Sequence, residues 1–245
     1  TRTSDSDECV GHYFGLALLD LATGPDNPKA GTWLSATWND GDGGTKPVGG
    51  LEATGANYGS MRNAISRFAQ RAEGGQWIEG SGYNLGTLKL LLMGTEGVRT
   101  ATGVDHFPEI TNLIPQLALG QLHDLTPDLK QPAQWGDEEH PHEFETRLFE
   151  RVTLLGMLSG LTQTDPGSGP YLNRLVTDLA EQYGWTGYSS AEPWGRMFFF
   201  YNPYAAQSDW RPVLPKGRFA SGTGHQRFYT GWTAADSLFT AHMAQ

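Results

Sequence analysis

The chain has 245 residues, a formal net charge of -10, and 38% hydrophobic against 18% charged residues, a balance that folds rather than stays disordered. Its length suits one large domain or two small ones, and the lack of any Lys/Arg run excludes nucleic-acid binding, which needs clustered positive charge. No apolar run approaches the roughly 20 residues of a membrane span, and Cys9, the single cysteine, excludes an intrachain disulfide and a thiolate metal site.

Helical periodicity dominates. Ser4 or Asp5 is placed to cap a first helix whose apolar ladder is Val10, Tyr13, Phe14, Ala17, Leu18 and Leu21, stopped at Thr23-Gly-Pro25. A Gly/Asp-rich loop from Trp38 to Gly55 leads to a second helix carrying Tyr58, Met61, Ile65, Phe68 and Ala72, broken by Gly74-Gly75. A third is expected from about Asn84 to Arg99. A fourth begins at Pro108, a favoured first-turn residue. A fifth covers Glu143 to Leu161, a sixth Tyr171 to Tyr183, and a short seventh Trp194 to Tyr201. Strand patterning is nearly absent until residues 231–245, where Leu238 alternates with Thr240.

Helices of this length, joined by long loops at 39–56, 126–142 and 202–232, predict antiparallel helical hairpins with binding loops gathered at one end. The chain starts at Thr1 beside a helix cap and stops at Gln245 inside an apolar segment, so it reads as a fragment.

The stretch richest in chemistry is Gly74-Gly-Gln-Trp-Ile-Glu-Gly-Ser-Gly-Tyr-Asn84. Trp77 offers a flat face for a sugar ring, Glu79 an acid, base or orienting group, and Tyr83 a proton carrier. The competing structural reading is a helix start with Glu79 and Ser81 capping and Trp77 packed inside.

A second cluster, Gln134-Trp-Gly-Asp-Glu-Glu-His-Pro-His142, supplies three carboxylates and two imidazoles, but Pro141 argues for an extended loop and the spacing matches no metal motif. In Gly224-His-Gln-Arg-Phe-Tyr-Thr-Gly-Trp232, His225 and Arg227 are candidates for local positive charge, with Trp232 nearby. That matters because an acidic polymer is repelled by the net charge, although salt screens the repulsion beyond about 8–10 Å.

Trp77-Ile-Glu-Gly-Ser-Gly-Tyr83 between two helices resembles the motif of heparinase II/III-like polysaccharide lyases. The resemblance implies an incomplete (α/α) toroid over residues 1–230, with residues 231–245 beginning a β-sandwich domain that is otherwise missing from the chain. It also implies cleavage of a uronic-acid polysaccharide by β-elimination. Tyr83 then stands at the family's proton-transfer position. Asn57, in Gly55-Ala-Asn-Tyr-Gly-Ser60, stands at that of the carboxylate neutraliser. His225 is a possible helper of Asn57 and Glu79 orients groups around the tyrosine. Tyr58, Asn84, Trp77, Trp135, Asp137, His140, Arg227 and Trp232 complete the candidate substrate contacts. The resemblance implies no cofactor in this chain and leaves a divalent metal to the missing β-sandwich portion, whether in the same precursor or a second chain. The implied partner is an acidic polysaccharide or oligosaccharide, and the implied location is secreted or periplasmic.

Two other readings stay open. An (α/α)-barrel glycoside hydrolase would pair Glu79 with Asp137 or Glu139, about 5 Å apart for retention or 6.5–9.5 Å for inversion. A non-catalytic carbohydrate-binding or assembly protein would use Trp77 and Trp135 as a groove without a titratable pair.

Overall fold

The computed structural model describes residues 7–28, 61–133, 144–183 and 199–243. These residues are mainly helical, with a small antiparallel sheet toward the C-terminus. The helices are α1 (Asp7–Thr23), α2 (Met61–Arg71), α3 (Ser81–Thr102), α4 (Pro108–Leu122), α5 (Phe144–Leu161) and α6 (Gly169–Tyr183). The strands are β1 (Gly217–Ala220), β2 (His225–Tyr229) and β3 (Leu238–His242). None of these helices is long and apolar enough to cross a membrane.

The chain divides into two compact units, residues 1–70 with 86–112 and residues 71–85 with 113–245. In the first, the apolar face of α1 buries Val10 and Phe14, and a short 3-10 turn at Gly24–Asp26 ends the helix at the predicted Thr23-Gly-Pro25 stop. Phe14 reaches the backbone of α3 because Gly94 has no side chain there; a Cβ on Gly94 would lie 1.7 Å from the Phe14 ring. The same ring meets Phe107 edge-on at 6.3 Å between centroids. Ile65 and Phe68 of α2 and Leu88, Leu91 and Leu92 of α3 complete this core. The i, i+3, i+4 spacing of these residues puts them on one face of each helix.

In the second unit α5 and α6 form a helical hairpin whose buried faces are Leu154, Leu155 and Leu158 against Leu172, Leu175 and Leu179. Asp165 organises the turn between them: its carboxylate accepts from the Gly167 N–H at 3.1 Å and from the Ser168 hydroxyl. The sheet has the order β1-β2-β3, with Arg218 opposite Arg227, Phe219 opposite Gln226, and Phe228 opposite Phe239. Gly224, at φ +70°, closes the β1–β2 hairpin and donates to the Ala220 carbonyl at 2.8 Å.

Two sequence expectations change. The β structure starts at Gly217 rather than at residue 231, so the expected boundary after residue 230 falls inside one sheet, between β2 and β3. The expected long loop over 202–232 likewise contains β1 and β2. Both strands escaped notice because their alternation is inverted: Arg218, His225 and Arg227 face inward while Phe219 and Phe228 face out. A pattern search that equates inside with apolar finds no strand there. The predicted seventh helix lies largely outside the described residues, with Phe199 and Phe200 helical.

Candidate functional site

The segment Gly74–Tyr83 is held by its backbone. Gly74 and Gly75 have φ values of +85° and +88°, the left-handed conformation that glycine adopts without strain. A Cβ on Gly75 would lie 2.0 Å from the Gln116 carbonyl oxygen, and one on Gly120 of α4 would lie 2.0 Å from the Gly75 oxygen. The helix and the turn meet backbone to backbone. Gln116 accepts from the Gly74 N–H at 2.8 Å, and the Gln76 side chain donates to the Gly120 carbonyl at 3.2 Å.

The sheet completes the anchorage. Arg218 of β1 donates to the Gly74 carbonyl through Nε (3.0 Å) and Nη2 (2.7 Å), and through Nη2 to the Gln116 carbonyl at 3.1 Å. The Gly222 N–H donates to the Glu73 carbonyl at 3.0 Å. Burial, with the like charge of Arg227 as a smaller cause, lowers the Arg218 guanidinium to about 10, still cationic at neutral pH.

On this frame Trp77 is 0% exposed, so it anchors the turn in the core and presents no face to a sugar. The expectation of a Trp77 platform is corrected, and the packed-inside reading of this tryptophan holds. Glu79 and Tyr83 are half-buried, Tyr83 in the first turn of α3. Asn84 beside it is 1% exposed, which corrects its expected role as a substrate contact, yet neither its amide nitrogen nor its oxygen has a hydrogen-bond partner among the described residues. An amide left so costs about 1–3 kcal/mol, unlike the paired groups typical of interiors.

His225, Arg227 and Trp232 are also buried, which corrects their expected role as groups facing a sugar. Arg227 is committed to structure. Its Nη2 lies 2.6 Å from Asp124 Oδ1, its Nη1 donates to the His123 carbonyl at 2.8 Å, and Nη2 donates to the Ala133 carbonyl at 3.1 Å. Arg151 of α5 takes the other Asp124 oxygen at 2.7 Å. Trp232 stacks on Tyr229 with ring centroids 4.2 Å apart and meets Trp210 edge-on at 5.0 Å. Burial drives His225 down to about 4, with Arg227 adding to the shift, so the imidazole is neutral near pH 7 and supplies no positive charge.

His123 is neutral for the same reason: burial lowers it to about 4, against the opposing pull of two backbone carbonyls. Its Nδ1 lies 2.8 Å from the Leu119 oxygen and its Nε2 2.9 Å from the Pro215 oxygen. Asn57, Tyr58, Trp135, Asp137, Glu139 and His140 lie outside the described residues.

A cleft of about 540 Å³ opens elsewhere in the second unit, between the 126–133 loop and the segment 234–240, lined by Asp128, Lys130, Gln131, Asp236 and Thr240 among others. It includes none of the residues selected from the sequence. Among the described residues no group of three or more His, Cys, Asp or Glu is placed to hold a metal ion.

The chain matches no family model, no curated protein and no solved structure. Sequence reasoning missed Arg218, Gln116 and Asp124. Arg218 and Gly74 are 144 positions apart, and no local pattern marks such a pair.

Proposed function

We propose that this chain is the helical portion, an incomplete (α/α) toroid, of a polysaccharide lyase that cleaves a uronic-acid polymer by β-elimination. One observation supports it above the others: in the first turn of α3 a half-buried Tyr83 stands beside an Asn84 amide that lacks a partner among the described residues, on a backbone pinned by α4 and β1. Rigid support around a few unsatisfied polar groups is what preorganised sites require.

β-Elimination removes the weakly acidic C5 proton of the uronate and expels the O4 substituent. The carboxylate must be neutralised, a base must face C5, and the departing oxygen must gain a proton. Tyr83 is assigned the proton transfer. Asn57 is assigned the carboxylate. Glu79, four residues before Tyr83, orients the phenol. With His225 neutral and Arg227 paired, neither supplies the positive field that a tyrosinate needs.

The deciding experiment incubates the protein with a panel of uronate polysaccharides and follows the ultraviolet absorbance of the unsaturated product. A lyase generates the chromophore, and Tyr83→Phe abolishes it. New reducing ends without the chromophore would move the assignment to a hydrolase using Glu79.

A further inference from the structure

The cleft between the 126–133 loop and residues 234–240 lies wholly in the second unit, and its volume of about 540 Å³ is in the range of small-molecule sites. On the loop side, Asp128 Oδ1 accepts from the Thr126 hydroxyl at 2.6 Å and from the Lys130 N–H at 3.1 Å. Its Oδ2 lies 3.8 Å from Lys130 Nζ, beyond hydrogen-bond distance, so an acceptor and a donor stand side by side without satisfying each other. Between them Leu129 adopts φ +59°, a left-handed conformation rare for a bulky side chain. Helix α6 holds the loop in that shape: the Tyr183 hydroxyl donates to the Leu129 carbonyl at 2.9 Å, and the Gln182 amide to the Asp128 carbonyl at 3.4 Å. On the other side, Asp236 is fixed by the hydroxyls of Thr230 (2.9 Å) and Thr233 (2.7 Å) and by the Thr233 N–H (2.9 Å). The bare Cα of Gly231 makes room for that carboxylate; a Cβ there would lie 2.5 Å from its Oδ2.

We propose that this cleft is a binding subsite for a neutral pyranose, a sugar ring whose vicinal hydroxyls bridge Asp128 and Lys130. A hydroxyl both donates and accepts. One hydroxyl therefore donates to Asp128 Oδ2 while its neighbour accepts from Lys130 Nζ, and Asp236 accepts from a third. Pro127, Pro132 and Leu238 line the cleft for the C–H faces of the ring. Charge argues for a neutral ligand. Two carboxylates outnumber one ammonium in the lining, within a chain of net charge -10, which repels a uronate or a phosphate. An organic cation would compete with Lys130 for Asp128, and no aromatic ring stands among the described lining residues to receive it. The loop is held in one shape by α6, so little ordering opposes binding. The inference does not rest on the lyase reading, since neither Tyr83 nor Glu79 lines the cleft.

The test titrates the isotope-labelled chain with the methyl glycosides of glucose, galactose and mannose, with maltose and cellobiose, and in parallel with glucuronate and putrescine, following backbone amide shifts by NMR. At least one neutral sugar should move amides of residues 126–133 and 234–240 saturably, with a Kd on the order of 1 mM for a single open subsite. Lys130→Met and Asp128→Asn should each weaken that binding about tenfold or more. Lys130 is 65% exposed at its side chain, so its replacement leaves the fold intact, and Asn keeps an oxygen for the Thr126 and Lys130 donors. Unchanged shifts away from the cleft check this for each variant, and Lys130→Met decides alone if Asp128→Asn fails that check. Several outcomes would overturn the proposal: no shift at the cleft with any neutral sugar, shifts confined to other residues, binding of glucuronate or putrescine as tight as that of the best neutral sugar, or variants that bind like the parent.

Discussion

Arg227 Nη2 lies 2.6 Å from Asp124 Oδ1 in the interior of the second unit, and Arg151 takes the opposite oxygen at 2.7 Å. All three side chains are buried, so removing one partner strands charge in a low dielectric. Arg227→Met is expected to cost about 3–5 kcal/mol in urea denaturation. Replacing Asp124, Arg151 and Arg227 together by apolar residues should recover most of that loss, because desolvation offsets most of the attraction in a buried cluster. A triple variant as unstable as the single one would mean that the carbonyls of His123 and Ala133, which also depend on Arg227, carry the effect.

Gly75→Ala tests the backbone frame of the Tyr83 segment. The substitution meets φ +88° and a Cβ only 2.0 Å from the Gln116 oxygen, so the turn must separate from α4. An unfolding free energy lowered by more than about 3 kcal/mol is expected, beyond the ordinary range of about 0.5–3 kcal/mol for point changes. Gly86→Ala is the control: nothing lies within 4 Å of its Cβ position, and it sits inside α3. There alanine should stabilise by roughly 0.5–1 kcal/mol. Equal effects at the two positions would disprove the close approach.

The helices were legible because 3.6-residue periodicity reports burial directly. The Val10–Phe14 and Leu88–Leu91–Leu92 ladders lie on the faces expected, and Pro108 opens α4 as predicted. A strand was expected near Leu238, and one runs over Leu238–His242, but its burial does not alternate, since every residue after Leu238 is exposed. What misled was chemistry at buried positions. Trp77, His225 and Arg227 have the side chains of a sugar site, yet the fold uses them for packing and charge pairing, and a sequence does not state which of its polar groups find partners. The Arg218 anchorage was illegible, since carbonyl acceptors exist at every residue.

His123 makes stability depend on pH. Its imidazole titrates near 6.5 when unfolded and near 4 when folded, held down by burial. Above about pH 6.5 both states are neutral and His123 contributes no pH dependence. As pH falls from 6.5 to 4 the unfolded chain takes up a proton that the folded one refuses, so stability is lost across that window, by about 3 kcal/mol. Urea midpoints at pH 7 and pH 4.5 should therefore differ, and His123→Gln should remove about half of what the two buried imidazoles contribute, His225 carrying a like share. A His123→Gln profile parallel to that of the parent would assign the acid sensitivity to other groups, His225 first.

Asn84 separates stability from function. A buried amide with no partner among the described residues opposes folding, so Asn84→Leu, with the same branching and no polar atoms, should stabilise the chain by up to about 1–3 kcal/mol less the cost of fitting its larger side chain. For a chain of this size that corresponds to a rise of roughly 2–4 °C in Tm for each kcal/mol. At 1% exposure the amide does not face a substrate, so the same variant should keep kcat/KM for the unsaturated product within a few-fold of the parent. A destabilised Asn84→Leu would show that the amide is satisfied in solution, by water or by the chain. A loss of tenfold or more in kcat/KM would show instead that the turn opens and brings the amide to the substrate beside Tyr83.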